Sequence, residues 1–93
     1  MTTAYLRDPA DVVDACALDD LTLLFHRRSG QTHMVISPVP EILACLADGA
    51  PRDREAVHAR LSIDYDLGDR ATALADIAAH LDALAALGLV RPA

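Results

Sequence analysis

Apolar and polar residues alternate along the first half of the chain and recur at helical spacing along the second. Leu21-Thr22-Leu23-Leu24-Phe25-His26 and Gln31-Thr32-His33-Met34-Val35-Ile36 read as two strands. Arg27-Arg28-Ser29-Gly30 reads as the turn between them, with Ser-Gly supplying the permissive position. A four-residue loop sets the register: His26 opposite Gln31, Phe25 opposite Thr32, Leu24 opposite His33. Leu21, Leu23, Phe25, Thr32, Met34 and Ile36 then share one largely apolar face, expected to turn toward the core. Thr22, Leu24, His26, Gln31, His33 and Val35 form the mixed opposite face. Upstream, Val12 to Leu18 predicts a first strand, with Asp19-Asp20 as its tight connection.

Helical signals follow. Ser37-Pro38 predicts an N-cap with proline at the first helical position, and Ile42, Leu43 and Leu46 form one apolar stripe. Gly49 stops that helix and Pro51 prevents its continuation. Asp53 predicts the cap of a second helix with Val57 and Leu61 on one face. Asp69 predicts the cap of a third and longest helix, running to about Leu87, with Leu74, Ile77, Leu81, Leu84 and Leu87 at spacings of 3, 4, 3 and 3. Gly88 ends it, and Leu89-Val90 is expected to pack back. The order is α+β: a three-stranded antiparallel sheet followed by three helices. Residues 1–11 read as a loose N-terminal arm, and 12–93 as one domain.

Composition narrows the function. The chain has 93 residues, 53% hydrophobic and 3% aromatic, so Ala (18) and Leu (14) must build most of one small core. Fourteen acidic residues against eight basic ones, all arginine, give a formal charge of −6. That sign opposes phosphate backbones and anionic lipid surfaces, so neither nucleic acid nor membrane is an expected partner. The longest apolar stretch, Ala83 to Val90, has 8 residues and is too short to span a membrane. Cys16 and Cys45 lie in no metal-ligand spacing, and nothing else points to secretion, so a cytoplasmic protein with reduced thiols is expected.

Candidate chemistry is sparse. His26 and His33 fall diagonally on one sheet face but lack a third ligand, so no metal is expected. His58 and His80 are expected to face outward from separate helices. Asp64 and Asp66 around Tyr65, and Asp19 beside Asp20, are carboxylate pairs of the kind used in acid–base catalysis, yet both positions suit caps and turns. No nucleophile elbow, phosphate-binding glycine loop or HExxH occurs, so no enzyme and no cofactor is expected. Arg52, Arg54, His58 and Arg60 cluster near the second helix, the arrangement a DNA-binding domain would use. The third helix, the natural reading helix, instead sets Asp69, Asp76 and Asp82 against Arg70 alone. Ala73, Ala83 and Ala86 leave a smooth surface on that helix beyond its core stripe.

The stretch Leu21-Thr-Leu-Leu-Phe-His-Arg-Arg-Ser-Gly-Gln-Thr-His-Met, followed by Ser37-Pro and the Ile42-Leu43 helix, resembles the PqqD-like peptide chaperones, or RiPP recognition elements. Within them it is most similar to the branch found with HPr-kinase-like proteins, the HPr-rel-A system. The similarity covers roughly Val12 to Val90; the missing Trp and the Cys-containing first strand depart from the pattern. The resemblance implies a winged-helix-like domain that uses no cofactor and leaves chemistry to a modifying enzyme. It implies that the leader part of a precursor peptide adds as an extra strand beside the third strand, in a cleft against the third helix.

An edge strand can template an incoming chain through its free N–H and C=O groups. On this sequence the expected peptide-binding residues are Gln31, Thr32, His33, Met34, Val35 and Ile36 along the strand. Met34 and Ile36 are expected on the helical side, with Ile77 and Leu81 as the opposite wall and Arg70, Ala73 and His80 as rim. The expected function is a non-catalytic peptide-binding chaperone for a precursor or leader peptide. The alternative is a protein–protein adaptor for an HPr-kinase-like partner, with a winged-helix DNA-binding protein third. An exposed edge strand also admits a homodimer.

Overall fold

The first strand of the main sheet, β2 (Val13–Leu18), turns back through Asp19-Asp20 into β3 (Leu21–His26), which returns as β4 (Gln31–Ile36). The computed structural model describes residues 3–7, 13–27 and 29–93. Three helices follow: α1 (Val39–Cys45), α2 (Arg54–Asp64) and α3 (Arg70–Ala86). The result is an α+β, winged-helix-like fold with a three-stranded antiparallel sheet in the order β2-β3-β4. A second, two-stranded pairing joins β1 (Tyr5–Leu6) to β5 (Arg91–Pro92).

Local chemistry explains the boundaries. Asp19 turns the chain at φ 51, a left-handed value that the short Asp side chain tolerates. The hairpin register is the one the loop length dictates, with His26 opposite Gln31, Phe25 opposite Thr32 and Leu24 opposite His33. Asp53 caps α2 by accepting from the Ala56 N–H at 2.8 Å, and Asp69 caps α3 by accepting from the Thr72 N–H at 2.9 Å. The first helix departs from expectation. Pro38, not Ser37, is its cap residue, and the Ser37 hydroxyl donates to the Glu41 carboxylate at 2.7 Å. Val12, expected to open the first strand, lies outside the described residues.

The core is mainly helical. Ile42, Leu46, Val57 and Leu81 are fully enclosed, with Leu61, Ile77 and Leu84 around them. Leu89 and Val90 fold back onto this cluster, as the glycine after α3 suggests. Leu74 is half-buried and Leu87 exposed, so the stripe of α3 is narrower than its leucines imply, and Ala73 is buried beside it.

Two expectations are corrected. Tyr5–Leu6, within the segment read as a loose arm, is docked. Tyr5 exchanges backbone hydrogen bonds with Arg52 at 2.9 Å each way, and its hydroxyl donates to the Asp82 carboxylate on α3. The sheet also presents the opposite face to the helices. Leu24 and His26 are buried and Val35 packs on the core, whereas Met34 and Ile36 are 68% and 63% exposed. Because the helices fill most of the core themselves, the sheet needs to contribute little apolar area. Its mixed face goes inward, with buried His26 placing Nδ1 3.0 Å from the Ser29 hydroxyl.

Candidate functional site

Within the three-stranded sheet β4 is an edge, bonded to β3 on one side and to no strand on the other among the described residues. Its backbone groups on that side are available to an added strand. Gln31, Thr32, Met34 and Ile36 are exposed along it, and His33 and Val35 are half-buried toward the helices. The strand therefore offers two rows of side chains, Thr32, Met34 and Ile36 outward and Gln31, His33 and Val35 inward. His33 has its Nε2 enclosed without a hydrogen-bond partner among the described residues.

The α3 residues divide. Arg70 is exposed and His80 half-buried. Ala73 is nearly enclosed, Ile77 more so and Leu81 completely, so these apolar positions serve the core first. Met34 and Ile36 do not face them, which corrects the expected pairing of those two residues with an Ile77–Leu81 wall. Val35 takes the inward place instead, half-buried against the core.

The remaining polar groups have structural engagements. Arg52 grips Asp48 through two contacts of 2.7 and 2.8 Å and donates to the Cys45 carbonyl at 2.8 Å. This grip holds the Asp48 carboxyl well below the usual range. Of the expected arginine cluster, Arg52 is thus tied into the α1–α2 connection. The Asp66 carboxylate accepts from the Gly68 N–H at 3.0 Å, the loop role expected of it. His58 does not simply face outward: it is half-buried, and its enclosed Nε2 has no hydrogen-bond partner among the described residues. Cys45 is buried, which pushes its thiol pKa up, while Cys16 is free and exposed. No group of three or more His, Cys, Asp or Glu among the described residues is placed to hold a metal. No helix among them is long and apolar enough to cross a membrane.

Two features escaped the sequence reading. One is the Tyr5–Asp82 tie, whose partners are 77 positions apart and carry no local signal. The other is an open cleft of about 500 Å³ where Asp19, Asp20 and Glu41 border Leu21 and Ile36. The two aspartates are adjacent in sequence, but only the fold brings Glu41 to them.

Fold and edge together define a small winged-helix-like domain with an open antiparallel strand. Among solved structures, the chain is similar to TbiB1 in complex with the TbiA(beta) leader peptide, at 26% identity and a TM-score of 0.66, over 86% of this chain and 90% of that one. No family model matches the chain, and no curated protein matches it.

Proposed function

We propose that this protein is a non-catalytic chaperone that holds the leader segment of a precursor peptide as an added strand along β4 and presents it to a modifying enzyme. The open edge of β4 carries this reading. Strand addition draws affinity from backbone hydrogen bonds and specificity from side-chain pockets on both faces of the edge. Gln31 to Ile36 supply the strand. Arg70, Ala73 and His80 supply the rim, and Ile77 and Leu81 support it from beneath. The likeness to a chain solved with a leader peptide supports the same choice of partner. The partner it serves is a modifying enzyme or, in the adaptor reading, an HPr-kinase-like protein, in the cytoplasm, where both thiols stay reduced.

Amide NMR during titration with synthetic N-terminal segments of short polypeptides encoded beside this chain tests the reading. Shifts concentrated on residues 31–36 and along α3 are expected. Strand N–H groups alternate between β3 and the open edge, so of Met34→Pro and Val35→Pro one removes an outward donor. The variant that keeps the native fold and loses an outward donor should bind at least tenfold more weakly. Unchanged affinity in that variant, or shifts confined to other surfaces, refutes strand addition.

A further inference from the structure

Asp64-Tyr65-Asp66 joins α2 to the loop before α3, and its two carboxylates are used differently. Asp66 accepts from the Gly68 N–H and shapes the loop. Asp64 caps nothing and makes no hydrogen bond or ion pair among the described residues. It stands in the last turn of α2, which holds no basic residue. The Tyr65 N–H donates to the Leu61 carbonyl, while the carbonyls of Ser62, Ile63 and Asp64 accept from no backbone N–H among the described residues. A helix C-terminus carries partial negative charge and favours a cation there. An unpaired carboxylate at that end works against α2.

Large apolar side chains stand in water beside it. Ile63 is 81% exposed and Tyr65 54%. With half-buried Leu67 and His58 they wall an open cleft of about 460 Å³ that takes in Asp64 and Asp66. His58 brings to it the enclosed Nε2 that lacks a partner among the described residues. Arg60 lies in the neighbouring cleft with Glu41 and Cys45, and Arg70 begins α3; neither walls this one. The walls therefore carry two carboxylates and no arginine.

We propose that this cleft docks an arginine-bearing segment of the modifying enzyme, so that enzyme and leader peptide occupy separate surfaces; the enzyme as partner rests on the chaperone reading above. An arginine suits each wall. Its alkyl stem packs on Ile63 and Leu67, and its planar guanidinium stacks on the Tyr65 ring. Its N–H fork donates to the Asp64 carboxylate and to the open carbonyls at the end of α2. Nucleic acid and anionic lipid would meet these carboxylates with the wrong sign. No residue of β4 walls the cleft; β4 packs on α1, whereas α2 packs on α1 and α3. A leader strand beside β4 therefore leaves the cleft uncovered.

Amide NMR of the full chain with acetyl-Leu-Arg-Leu-Arg-Leu-amide, set against acetyl-Leu-Glu-Leu-Glu-Leu-amide, reads the cleft directly. Shifts at residues 62–68 with the arginine peptide alone are expected. Asp64→Lys should raise Tm by about 2 °C, because it reverses an unfavourable charge at a helix end. Tyr65→Ser should keep the fold, since the ring is exposed. Both variants should bind the purified modifying enzyme encoded beside this chain at least tenfold more weakly by calorimetry, with leader affinity unchanged. A variant that gains stability yet loses its partner marks a carboxylate retained for docking. Arginine-peptide shifts that are absent or lie away from residues 62–68, or wild-type and variant chains that bind the enzyme alike or not at all, overturn the proposal and leave strand addition standing. A fall in Tm for Asp64→Lys also overturns it, because that carboxylate would then be structural. Absence of leader shifts at residues 31–36 refutes strand addition instead, and the arginine peptide still decides the cleft.

Discussion

Replacing Tyr5 with Phe removes one oxygen and tests whether the N-terminal strand is bonded to the domain or merely lies on it. Tyr5 is nearly buried, and its hydroxyl donates to Asp82 on α3. A hydrogen bond to a charged acceptor contributes about 1.5–3 kcal/mol, but Asp82 is exposed, so water competes for it. We therefore expect a loss near the lower limit, about 1–1.5 kcal/mol, with the ring still in place. For a domain of this size that lowers Tm by about 5–10 °C. Urea unfolding followed by circular dichroism measures it, and a double-mutant cycle with Asp82→Ala isolates the pair. The hydrogen bond to Asp82, then burial, raises the Tyr5 pKa above 10.0. The folded state therefore keeps the phenol proton where the unfolded chain has lost it. That contribution is complete below the unfolded pKa and disappears as pH rises through the folded one. Wild type should lose stability above about pH 10 more steeply than Tyr5→Phe. A variant within 0.3 kcal/mol of wild type (roughly the limit of additivity), or strictly additive single losses, would sink the argument.

Other expectations follow from single groups. Asp53→Ala removes the acceptor for the Ala56 N–H and should cost about 1 kcal/mol in urea unfolding, with α2 fraying first by hydrogen exchange. The Thr72 N–H and then its hydroxyl hold the Asp69 carboxyl below its usual pKa. Its capping contribution is present above the unfolded carboxylate pKa and is lost as pH falls through the lower folded value. Exchange protection at Thr72 should follow that titration, and protection that persists in Asp69→Asn at acid pH but not in wild type would fit it. A thiol reagent should label one cysteine, Cys16, in the native protein and reach Cys45 only on unfolding; equal rates would place Cys45 at the surface.

Much of the architecture is legible in local pattern. Asp53 and Asp69 each stand before a helical stripe and each caps it, because an N-cap is decided by a residue and the N–H groups within one turn. The hairpin register follows from loop length alone. The choice of which sheet face turns inward is not local. It depends on how much apolar surface the helices already supply, and hydrophobicity counts along β3 and β4 point the wrong way. The same cause blurs the candidate site: the strand Gln31–Ile36 is an edge as read, but the direction of Met34 and Ile36 is reversed. Periodicity places Ile77 and Leu81 on the apolar stripe of α3, which identifies a buried face without saying what covers it. The Tyr5–Asp82 tie needs the folded topology to exist at all.

The pairing of β1 with β5 bears on the chain's connectivity. The Ala93 N–H donates to the Ala4 carbonyl at 2.9 Å, so positions at opposite ends of the described chain are neighbours. Closing a loop of that contour carries an entropy cost of about 4 kcal/mol, the most demanding closure in the molecule. It is therefore reached late in assembly, after the local hairpins and helices exist. Linking residue 93 to residue 4 through a short peptide, and opening the chain in the loop between α2 and α3, would turn that pairing into a local turn. Such a permuted chain keeps every packed layer while reversing the order in which the two sheets come together.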